Sequence, residues 1–495
     1  MNLSARNSSD LVAGAPAGLS PRKQRIRALY ERLAPQRGEW LDRNSYYYED
    51  DRTYMRFLVH EQLRILELGC GNGQLLAALS PSRGVGIDIS PAMINAARKA
   101  HPNLVFHVGD AEDPDFLASI DGKFDVIILS DSIGYMEDCQ KTLSLLHRFC
   151  VAETRLIISY YSKVWEPILK LGEGLGLKMP TVEQNWLSSD DIVNLLMLSD
   201  FDPIKREWRQ LLPKRLLGLG PLVNRYLGTL PVVRQLCLRN YVVARSMIAA
   251  KEGVRRNPAV TVLIPCRNEA GNIQQAVERI PRFAQDIEIV FVEGHSSDNT
   301  IDEINRVATQ RSDLNIRFLQ QDGKGKGDAV RKGLAAARGQ IMMILDADLT
   351  VPPEDLPKFH EAITSGKGEF INGSRMVYPK EAEAMRFLNR VANWTFSKLF
   401  TWLLNQRFTD TLCGTKVFWK TDYERIAANR SYFGDFDPFG DFDLLFGAAK
   451  LGLKIVEVPI RYGARSYGTT QISRFSDGWL LLRMVSVAYR RLKAF

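Results

Sequence analysis

Two series of short apolar segments, whose members end in glycine or in polar residues, most strongly constrain the fold of this 495-residue chain. The first series begins at residues 63–73 and the second at residues 259–273, and segments with helical patterns lie between the apolar ones. Alternating strands and helices predict parallel sheets with crossover helices. Because the chain is too long for one ordinary core, we predict an α/β protein with two such domains.

A charged stretch that ends in proline, AAKEGVRRNP, separates the two series and is typical of a linker. The predicted organisation is a disordered tail at 1–30, a first domain at 31–248, this linker at 249–258, a second domain at 259–473 and a basic amphipathic helix at 474–495. The start of the chain lacks the apolar core of a signal peptide, and no apolar run approaches the roughly 18 residues that span a bilayer. We therefore expect a cytoplasmic protein, whose C-terminal helix either lies on a membrane surface or packs on the second domain or on another subunit.

Composition narrows the classes of partner. The six cysteines are scattered without a CxxC pair, so neither a disulfide framework nor a zinc site is predicted. The formal net charge of +8 suits a solvated surface, nucleotide phosphates or an anionic membrane. No RNA- or DNA-binding motif is found, and no nucleic-acid partner is expected.

A glycine-rich turn follows the first apolar segment and contains Gly69, Gly71 and Gly73. Such a turn lets the backbone approach a ligand closely, and the helix that follows offers free N–H groups. The spacing differs from the GxGxxG pattern of dinucleotide sites. Glu67 lies just before the turn, and Asp88 closes the next strand, where a carboxylate can accept both ribose hydroxyls.

Asp110 and Glu112 end the third predicted strand and can meet an adenine edge. The motifs ELGCGNG, GIDIS, GDAED and FDVIILSDSIGYMED resemble those of class I methyltransferases, over about residues 40–245. The resemblance implies a Rossmann-like fold and S-adenosylmethionine as cofactor, with Gly69 and Gly71 beside its methionine part, Asp88 on the ribose and Asp110 near the adenine. The full implied cofactor set is Glu67, Gly69, Gly71, Gly73, Asp88, Asp110, Ala111 and Ser130.

An NAD site, or a doubly wound domain with a tight turn and no cofactor, stays open at this stage. Methyl transfer from a sulfonium depends mainly on positioning and desolvation, and a hydroxyl acceptor would also need a base. Asp131, His147 and Tyr160 are conceivable bases, and none of them can be assigned from the sequence.

In the second series, the segment ILDADL ends a predicted strand with Asp346 and Asp348. Carboxylate oxygens suit Mg²⁺ or Mn²⁺ held against a diphosphate, where the cation neutralises charge on the leaving group. Nearby strand ends and loops carry residues suited to a nucleotide: Pro265, Arg267, Asn268, Glu269, Glu293, Asp298, Lys324, Lys326 and Arg331.

These features together are similar to family 2 glycosyltransferases with the GT-A fold, over about residues 258–470 and most of all to the dolichol-phosphate mannose synthase-like branch. The marks of that branch are NGSR (372–375), the amphipathic stretch RFLNRVANWTFSKLFTWLL, DTLCGTK (410–416), GDFDLLFGAAKLG (440–452) and VPIRYGARSYGTTQIS (458–473). The chain departs from the family pattern at EGHSSD, where Gly294 and His295 intrude, and we interpret His295 as a loop residue rather than a metal ligand.

The resemblance implies that Asp346 and Asp348 hold the metal ion and that Glu293 and Asp298 serve the nucleoside. It also implies that Arg375 and Arg465 face phosphates. The implied nucleotide-sugar set is completed by Pro265, Arg267, Glu269 and Lys326, and the implied catalytic residues are Asp348, Asp441 and Asp443, with Asp441 or Asp443 at the acceptor.

The predicted function is that of a bifunctional transferase. One domain would move a sugar, with inversion and metal dependence, from a nucleotide sugar to a polyprenyl phosphate or glycan acceptor. The other would methylate a sugar-related acceptor. Two alternatives are an active glycosyltransferase whose first domain only binds S-adenosylmethionine or acts as a scaffold, and an assembly protein without enzymatic activity.

Overall fold

The computed structural model describes residues 18–253, 257–378, 387–434, 440–463, 465, 467 and 474–495. The chain divides into two compact units. The first consists of Met1–Cys150 with Leu156–Leu195, and the second of Val151–Arg155 with Leu196–Phe495. Among the described residues, none of the helices has the length and apolar character needed to cross a bilayer.

The strands of the described residues follow the apolar segments of the sequence. They are β1 (Arg64–Leu68), β2 (Arg83–Asp88), β3 (Val105–Val108), β4 (Val126–Ser130), β5 (Arg155–Tyr161), β6 (Phe201–Arg209), β7 (Arg239–Ser246), β8 (Val260–Cys266), β9 (Ile287–Glu293), β10 (Asn315–Gln320), β11 (Ile341–Ile344), β12 (Phe370–Ser374), β13 (Lys416–Trp419) and β14 (Ile455–Pro459).

The helices are α1 (Pro21–Leu33), α2 (Arg37–Arg43), α3 (Ser45–Leu58), α4 (Gln74–Ala78), α5 (Pro91–Ala100), α6 (Pro114–Ala118), α7 (Cys139–Leu145), α8 (Glu166–Gly174), α9 (Ser189–Leu198), α10 (Leu219–Leu222), α11 (Met247–Glu252), α12 (Ala270–Glu278), α13 (Thr300–Gln310), α14 (Lys326–Ala336), α15 (Leu356–Thr364), α16 (Phe387–Leu404), α17 (Lys420–Ala428), α18 (Asp441–Lys450) and α19 (Arg474–Leu492).

The sheet of the first unit has the strand order β3-β2-β1-β4-β5. β1 pairs in parallel with both β2 and β4, and β2 pairs in parallel with β3. Because the carboxyl ends of parallel strands meet at one edge, the turn after β1 and the ends of β2, β3 and β4 converge there. The predicted Rossmann-like α/β fold is confirmed, and its central strand carries the glycine-rich turn.

The structure differs from the predicted disordered tail at 1–30. Residues 1–17 lie outside the described residues, but α1 begins at Pro21. The Ser20 side chain accepts a hydrogen bond from the Lys23 backbone N–H, which is a standard helix N-cap, and proline suits the first helical position. Ile26 and Leu29 are buried on one side of this helix, so burial of that side outweighs the polar composition of the segment.

The sheet of the second unit has the order β10-β9-β8-β11-β13-β12-β14. Its first four strands are parallel, whereas β13 runs antiparallel to both β11 and β12. Buried apolar residues such as Val262, Phe291, Met343 and Val417 form its core. This mixed sheet confirms the predicted GT-A fold, and its parallel half presents the loops that carry the predicted nucleotide residues.

The second unit also contains the antiparallel pair β6 and β7 and the long connection between them. The predicted linker overlaps α11, and its residues 254–256 lie outside the described residues. The predicted C-terminal helix is α19, which buries Met484 and Ala488 while Trp479 is 73% exposed. The exact domain boundaries stay predictions.

Candidate functional site

The three glycines of the turn after β1 all adopt positive φ angles, 75° for Gly69, 53° for Gly71 and 75° for Gly73. An ideal Cβ at Gly69 would lie 2.6 Å from Ser132 Cβ, and one at Gly73 would lie 2.6 Å from the Phe106 ring. A Cβ at Gly71 would meet no described atom within 4 Å. Gly69 and Gly73 are therefore required by packing, whereas Gly71 faces space in which a ligand can approach the backbone.

Asp88 at the end of β2 fixes this turn. Its Oδ2 accepts a hydrogen bond from the Gly71 backbone N–H at 2.9 Å, and its Oδ1 accepts one from the Ser90 N–H at 2.9 Å. Burial raises the pKa of this carboxyl, and the two backbone hydrogen bonds oppose that change. Each oxygen retains a second lone pair, so Asp88 can still accept hydrogen bonds from a diol.

Glu67 lies at the end of β1 and is only 2% exposed. Burial raises its pKa to about 8, and the charges of Asp51 and Asp88 act in the same direction. Its Oε2 atom has no hydrogen-bond partner among the described residues. A buried carboxyl in this state is a candidate partner for a cationic ligand group, because such a group would stabilise the charged form.

The carboxylates after β3 are held by α1. The Lys23 ammonium lies 2.6 Å from Asp110 Oδ2 and 2.8 Å from Glu112 Oε2. Glu112 also accepts hydrogen bonds from the backbone N–H groups of Glu137 and Asp138. Lys23 was not identified from the sequence because residues 1–30 were predicted to be a disordered tail. The capping signal at Ser20 and Pro21 could have indicated that a helix begins there.

Other residues of α1 and its neighbours also approach this edge. Tyr30 packs edge-on against Tyr135 with ring centroids 5.8 Å apart. Burial raises the pKa of Tyr30 to about 12, and the charges of Asp88 and Asp131 contribute to that increase. This aromatic pair was not identified from the sequence.

The remaining predicted residues of the first unit have defined neighbours. Ser130 Oγ lies 3.0 Å from Ser159 Oγ, and Ala111 is buried. The Tyr160 hydroxyl donates a hydrogen bond to the Asn185 carbonyl, and burial raises its pKa well above the usual range. A phenol in that state is a poor base near neutral pH, so Tyr160 loses support as a methylation base.

In the second unit, each predicted metal ligand pairs with a basic side chain. Lys326 Nζ lies 2.6 Å from Asp346 Oδ1, and Arg465 Nη2 lies 2.6 Å from Asp348 Oδ2. Asp348 Oδ1 also accepts a hydrogen bond from the Thr350 hydroxyl at 2.8 Å. Burial alone would raise the pKa of Asp346, but the nearby Lys326 ammonium lowers it overall. The structure thus brings together four residues that the sequence analysis assigned to metal and phosphates.

The segment before β13 closes over this group. An ideal Cβ at Gly414 would lie 2.1 Å from Asp346 Oδ2 and 2.6 Å from Lys326 Nζ, so only glycine fits there. Lys416, fully buried, pairs with Asp441 Oδ1 at 3.1 Å, and Lys326 lies 3.8 Å from Asp441 Oδ2. Gly414 and Lys416 belong to a motif that the sequence analysis quoted without assigning them roles.

The two aspartates at the start of α18 point to different places. Asp441 faces Lys326 and Lys416, whereas Asp443 Oδ2 lies 3.0 Å from Arg430 Nε and 3.9 Å from an Arg331 nitrogen. Two residues along an α-helix differ by about 200° in direction, which explains the divergence. Asp443 lines a separate cavity of about 290 Å³, whose apolar wall includes Val330, Leu334, Tyr423, Ile426 and Phe433.

The acidic residues predicted to bind the nucleoside hold loops together. Glu293 is fully buried and accepts hydrogen bonds from the Ser296 backbone N–H and the Gln320 side chain. Asp298 accepts hydrogen bonds from the backbone N–H groups of Ala270 and Thr300, which joins the loops after β8 and β9.

Three further predicted residues lie at the end of β8. Pro265 is part of the strand, and Arg267 is exposed. Glu269 accepts a hydrogen bond from Asn272 at 2.6 Å and lies 3.5 Å from Arg465. Burial raises the pKa of Glu269, although Asn272 and Arg465 oppose that change. Arg465 therefore connects the loop after β8 to the carboxylate pair.

Arg375 is bound by a carboxylate that the sequence analysis did not single out. Its guanidinium donates to both oxygens of Asp410, at 2.6 and 2.8 Å, and lies over the Tyr462 ring at 5.1 Å. Asp410 is fully buried, and although burial raises its pKa, Arg375 lowers it overall. The expectation that Arg375 faces a phosphate stays a prediction.

His295 is exposed in the loop after β9, with a φ of 57°. Within the part of the chain that the structure describes, no group of three or more His, Cys, Asp or Glu side chains is arranged to hold a metal ion.

Comparisons with known proteins assign a family to each region. The family model "Glycosyl transferase family 2" matches residues 261–425, and the model "Methyltransferase domain" matches residues 59–194. The dolichyl-phosphate hexose transferase of Haloferax volcanii is 30% identical over 220 residues, which cover 44% of this chain and 89% of that protein.

Two further proteins are similar to parts of the chain. The low-salt glycan biosynthesis hexosyltransferase Agl6 of the same organism is 27% identical over 233 residues, 46% of this chain. The chain spans only 54% of the length of Agl6. A SAM-dependent methyltransferase structure from Thermotoga maritima, described as a possible histamine N-methyltransferase, shares 17% identity with a TM-score of 0.36 and covers 44% of this chain and 99% of its own.

Proposed function

Because the chain belongs to glycosyl transferase family 2 and also carries a methyltransferase domain, we propose that it is a bifunctional transferase. Its second unit moves a sugar from a nucleotide sugar to a polyprenyl phosphate, with metal dependence and inversion of the anomeric carbon. Its first unit transfers the methyl group of S-adenosylmethionine to a sugar-related acceptor. The observation that carries the proposal is the pair of adjacent ion pairs, Asp346 with Lys326 and Asp348 with Arg465.

These ion pairs are suited to exchange partners with a metal-bound diphosphate. Asp346 and Asp348 offer hard carboxylate oxygens, and Mg²⁺ or Mn²⁺ commonly takes one or two of these together with substrate phosphates. Lys326 and Arg465 then become available for phosphate oxygens. The metal ion, when bound, neutralises charge on the leaving nucleoside diphosphate. The fit is supported by Gly414, whose backbone covers Asp346 closely.

The charges around Asp441, the residue predicted to lie at the acceptor, favour an anionic acceptor. A polyprenyl phosphate is already charged near neutral pH, so its attack requires no base, and neighbouring cations lower the repulsion between acceptor and donor. Lys326 and Lys416 supply positive charge on either side of Asp441. The curated relative with high coverage is named a dolichyl-phosphate hexose transferase, which supports the same class of acceptor.

In the first unit, we propose that Asp88 accepts the ribose hydroxyls and that the backbone at Gly71 lies against the methionine part of S-adenosylmethionine. We also propose that Glu67, which is buried and has an oxygen without a hydrogen-bond partner among the described residues, binds the cationic ammonium group of that methionine. The protein then contributes mainly by holding the methyl group in line with its acceptor and by excluding water.

The test of the sugar transfer uses the full chain, a polyprenyl phosphate, Mg²⁺ or Mn²⁺ and a panel of labelled nucleotide sugars. We expect label to enter the organic phase with one donor. Asp348→Asn should lower the rate at least about 1000-fold, because metal-ion stabilisation is worth several kcal/mol. The exposed Asp302→Asn change on α13 provides a matched control that should keep full activity.

Two results would contradict the proposal. The first is transfer that continues in excess chelator, and the second is Asp348→Asn with wild-type activity. Label that stays aqueous with every donor, but enters a saccharide when one is supplied, would replace the lipid acceptor by a glycan. An NMR-determined product that retains the donor's anomeric configuration would rule out inversion.

The alternative for the first unit is a module that binds S-adenosylmethionine without transferring its methyl group. Calorimetry measures binding directly, and labelled S-adenosylmethionine incubated with the lipid-linked sugar product measures transfer. Binding together with methylation of that product supports the bifunctional proposal. Binding without transfer to any sugar-related acceptor favours the scaffold alternative, and the absence of binding rejects the cofactor assignment.

A further inference from the structure

The connection between β6 and β7 exposes an unusual amount of apolar surface. We call residues 211–236 the apolar insertion. Leu217 is fully exposed, and eight other large apolar side chains are between 39% and 79% exposed. The set is Leu216, Leu217, Leu219, Leu222, Tyr226, Leu227, Leu230, Val232 and Leu236. Single exposed leucines are normal on soluble proteins, but a concentration of this kind marks an interaction surface.

The charges of this region have one sign. Residues 210–240 contain no Asp or Glu, although they include Lys214, Arg215, Arg225 and Arg234. Lys214, Arg215 and Arg225 are exposed beside the leucines. Apolar side chains interleaved with basic ones, without acidic residues, complement a surface of anionic lipid headgroups over acyl chains.

The apolar insertion is anchored rather than loosely attached. Within the apolar insertion, the buried Asn224 amide exchanges two hydrogen bonds with the Leu212 backbone, both at 2.8 Å. Trp402 Nε1 on α16 donates to the Thr229 carbonyl at 2.9 Å, and Arg225 Nε donates to the Ala494 carbonyl at 2.8 Å. The bonds to Trp402 and Ala494 attach the apolar insertion to other segments of the second unit, while its leucines stay exposed.

The helices α16 and α19, which hydrogen-bond to the apolar insertion through Trp402 and Tyr489, carry exposed tryptophans of their own. Trp394 on α16 is 60% exposed, and Trp479 on α19 is 73% exposed. Tryptophan has an apolar ring with a polar N–H group and is enriched at the level of lipid headgroups. α16 and α19 therefore extend the apolar character beyond the apolar insertion.

A second copy of this chain is a less suitable occupant. In a twofold dimer the same patch faces itself, so basic residues would approach basic residues. With no carboxylate in residues 210–240, the apolar insertion provides nothing to neutralise that repulsion. Anionic lipid headgroups supply the missing negative charge.

We propose that the apolar insertion seats the second unit on an anionic membrane surface, with its leucines among the acyl chains and its basic side chains at the headgroups. This inference goes beyond the proposed transferase activities, because it concerns binding to lipid in the absence of any donor, metal ion or S-adenosylmethionine. A protein that does not bind vesicles could still transfer sugar in the assay above. A protein that does not transfer sugar could still bind vesicles.

The first test is co-sedimentation of the full chain with vesicles of phosphatidylcholine, with and without phosphatidylglycerol. We expect binding to require phosphatidylglycerol and to weaken as salt is added. The variant L217S/L219S/L222S should bind at least about tenfold more weakly, since three apolar side chains no longer enter the bilayer. The control V105S/M197S/I248S replaces three exposed apolar residues elsewhere and should bind as the wild type does.

The charges provide a second variant, K214E/R215E, which should lose its preference for phosphatidylglycerol. The exposed pair K99E/K141E in the first unit is its control. All substituted side chains are exposed, so the melting temperature should stay close to that of the wild type.

The second test reports insertion directly. The six native cysteines are buried, so a cysteine placed at Leu217 can be labelled selectively with an environment-sensitive fluorophore. Its emission should shift to the blue and increase on addition of anionic vesicles, whereas the same label at Met197→Cys should not respond.

Three outcomes would overturn the proposal. They are a wild-type protein that does not bind anionic vesicles, a serine variant that binds like the wild type, and a label at residue 217 that stays in water on bound vesicles. Sedimentation that shows a wild-type dimer, converted to a monomer by L217S/L219S/L222S with unchanged vesicle binding, would assign the surface to a second copy instead.

Discussion

The two units place carboxylates at the ends of parallel strands in different ways. In the first unit, Asp88 is satisfied by backbone N–H groups, and Glu67 has an oxygen without a partner among the described residues. In the second unit, Asp346 and Asp348 each bind a lysine or arginine. The ligand classes proposed for the two sites match this difference. A cationic cofactor suits carboxylates with spare capacity, whereas an anionic nucleotide suits a site that already contains cations.

The two sites also differ in how many segments of the chain contribute to them. Residues 67–90 supply the turn, its glycines and Asp88 in the first unit, which is little more than one strand–helix–strand segment. The group around Asp346 needs Lys326, Gly414, Asp441 and Arg465, which come from four other segments. We therefore expect that a single backbone change can abolish ligand binding at the first site without affecting the second. Substitutions at several positions that are distant in sequence should each impair the second site.

The largest expected effect is that of Gly71→Val. Valine is poorly tolerated at a φ of 53°, and its side chain would occupy the open space at the turn. We expect the affinity for S-adenosylmethionine, measured by calorimetry, to fall about 1000-fold, because both backbone strain and steric exclusion act. Sugar transfer should be unchanged. Gly172→Val on α8 is the control, because an ideal Cβ at Gly172 would also meet no described atom within 4 Å. Equal loss in both variants would contradict the assignment of Gly71.

Glu67→Gln should change how stability depends on pH. The folded-state pKa of Glu67 is raised to about 8, above its usual 4.5, so the folded protein binds more protons than the unfolded chain between these values. Its contribution to stability is therefore present below the unfolded pKa and is lost as pH rises through about 8, by roughly 5 kcal/mol over the whole interval.

Thermal unfolding of the ligand-free protein between pH 5 and pH 9 measures this effect. The wild-type melting temperature should fall over that range. Glu67→Gln should remove most of the decrease, and the exposed Glu61→Gln should not. A variant at residue 67 that loses stability as steeply as the wild type would show that Glu67 titrates as an ordinary carboxyl.

The third prediction compares the two aspartates of α18. Asp441→Asn should lower the kcat of sugar transfer about 100-fold, because it removes the negative charge between Lys326 and the buried Lys416. Asp443→Asn should lower kcat less than about tenfold, because its partners Arg331 and Arg430 lie at the separate cavity. Thermal unfolding identifies any loss of fold, and an equal loss of kcat in two folded variants would place both residues at the reacting groups.

Gly414→Ala should have a smaller effect than Asp441→Asn. Its methyl group would lie 2.1 Å from Asp346 Oδ2, so the carboxylate must move out of place. We expect kcat for sugar transfer to fall at least about tenfold, as is typical when a supporting contact of a metal ligand is lost. Gly463→Ala is the matched control, since an ideal Cβ at Gly463 would lie 4.0 Å from the nearest described atom, the Thr350 carbonyl oxygen. An unchanged kcat would mean that this segment does not hold Asp346.

Much of the fold could be predicted because periodicity and glycine spacing are local signals. The apolar segments after Leu63 and Ala259 became parallel strands, and the glycine turn took the conformation that its spacing indicated. α1 was missed because its polar composition hides an apolar side that is recognisable only when Ile26 and Leu29 are seen to be buried. Capping at Ser20 was the one local signal that could have corrected the prediction.

The sequence by itself determined which residue types lie at the strand ends, because the apolar segments and the glycines that follow them can be recognised from local sequence alone. It could not determine their partners. Lys23 with Asp110, Lys416 with Asp441, and Arg375 with Asp410 are separated by 25 to 87 positions, and each pairing depends on how the sheets bring distant loops to one edge. The placement of the apolar insertion was likewise decided by tertiary structure, because it hydrogen-bonds to Trp402 and Ala494, which are distant in sequence, while its leucines stay exposed.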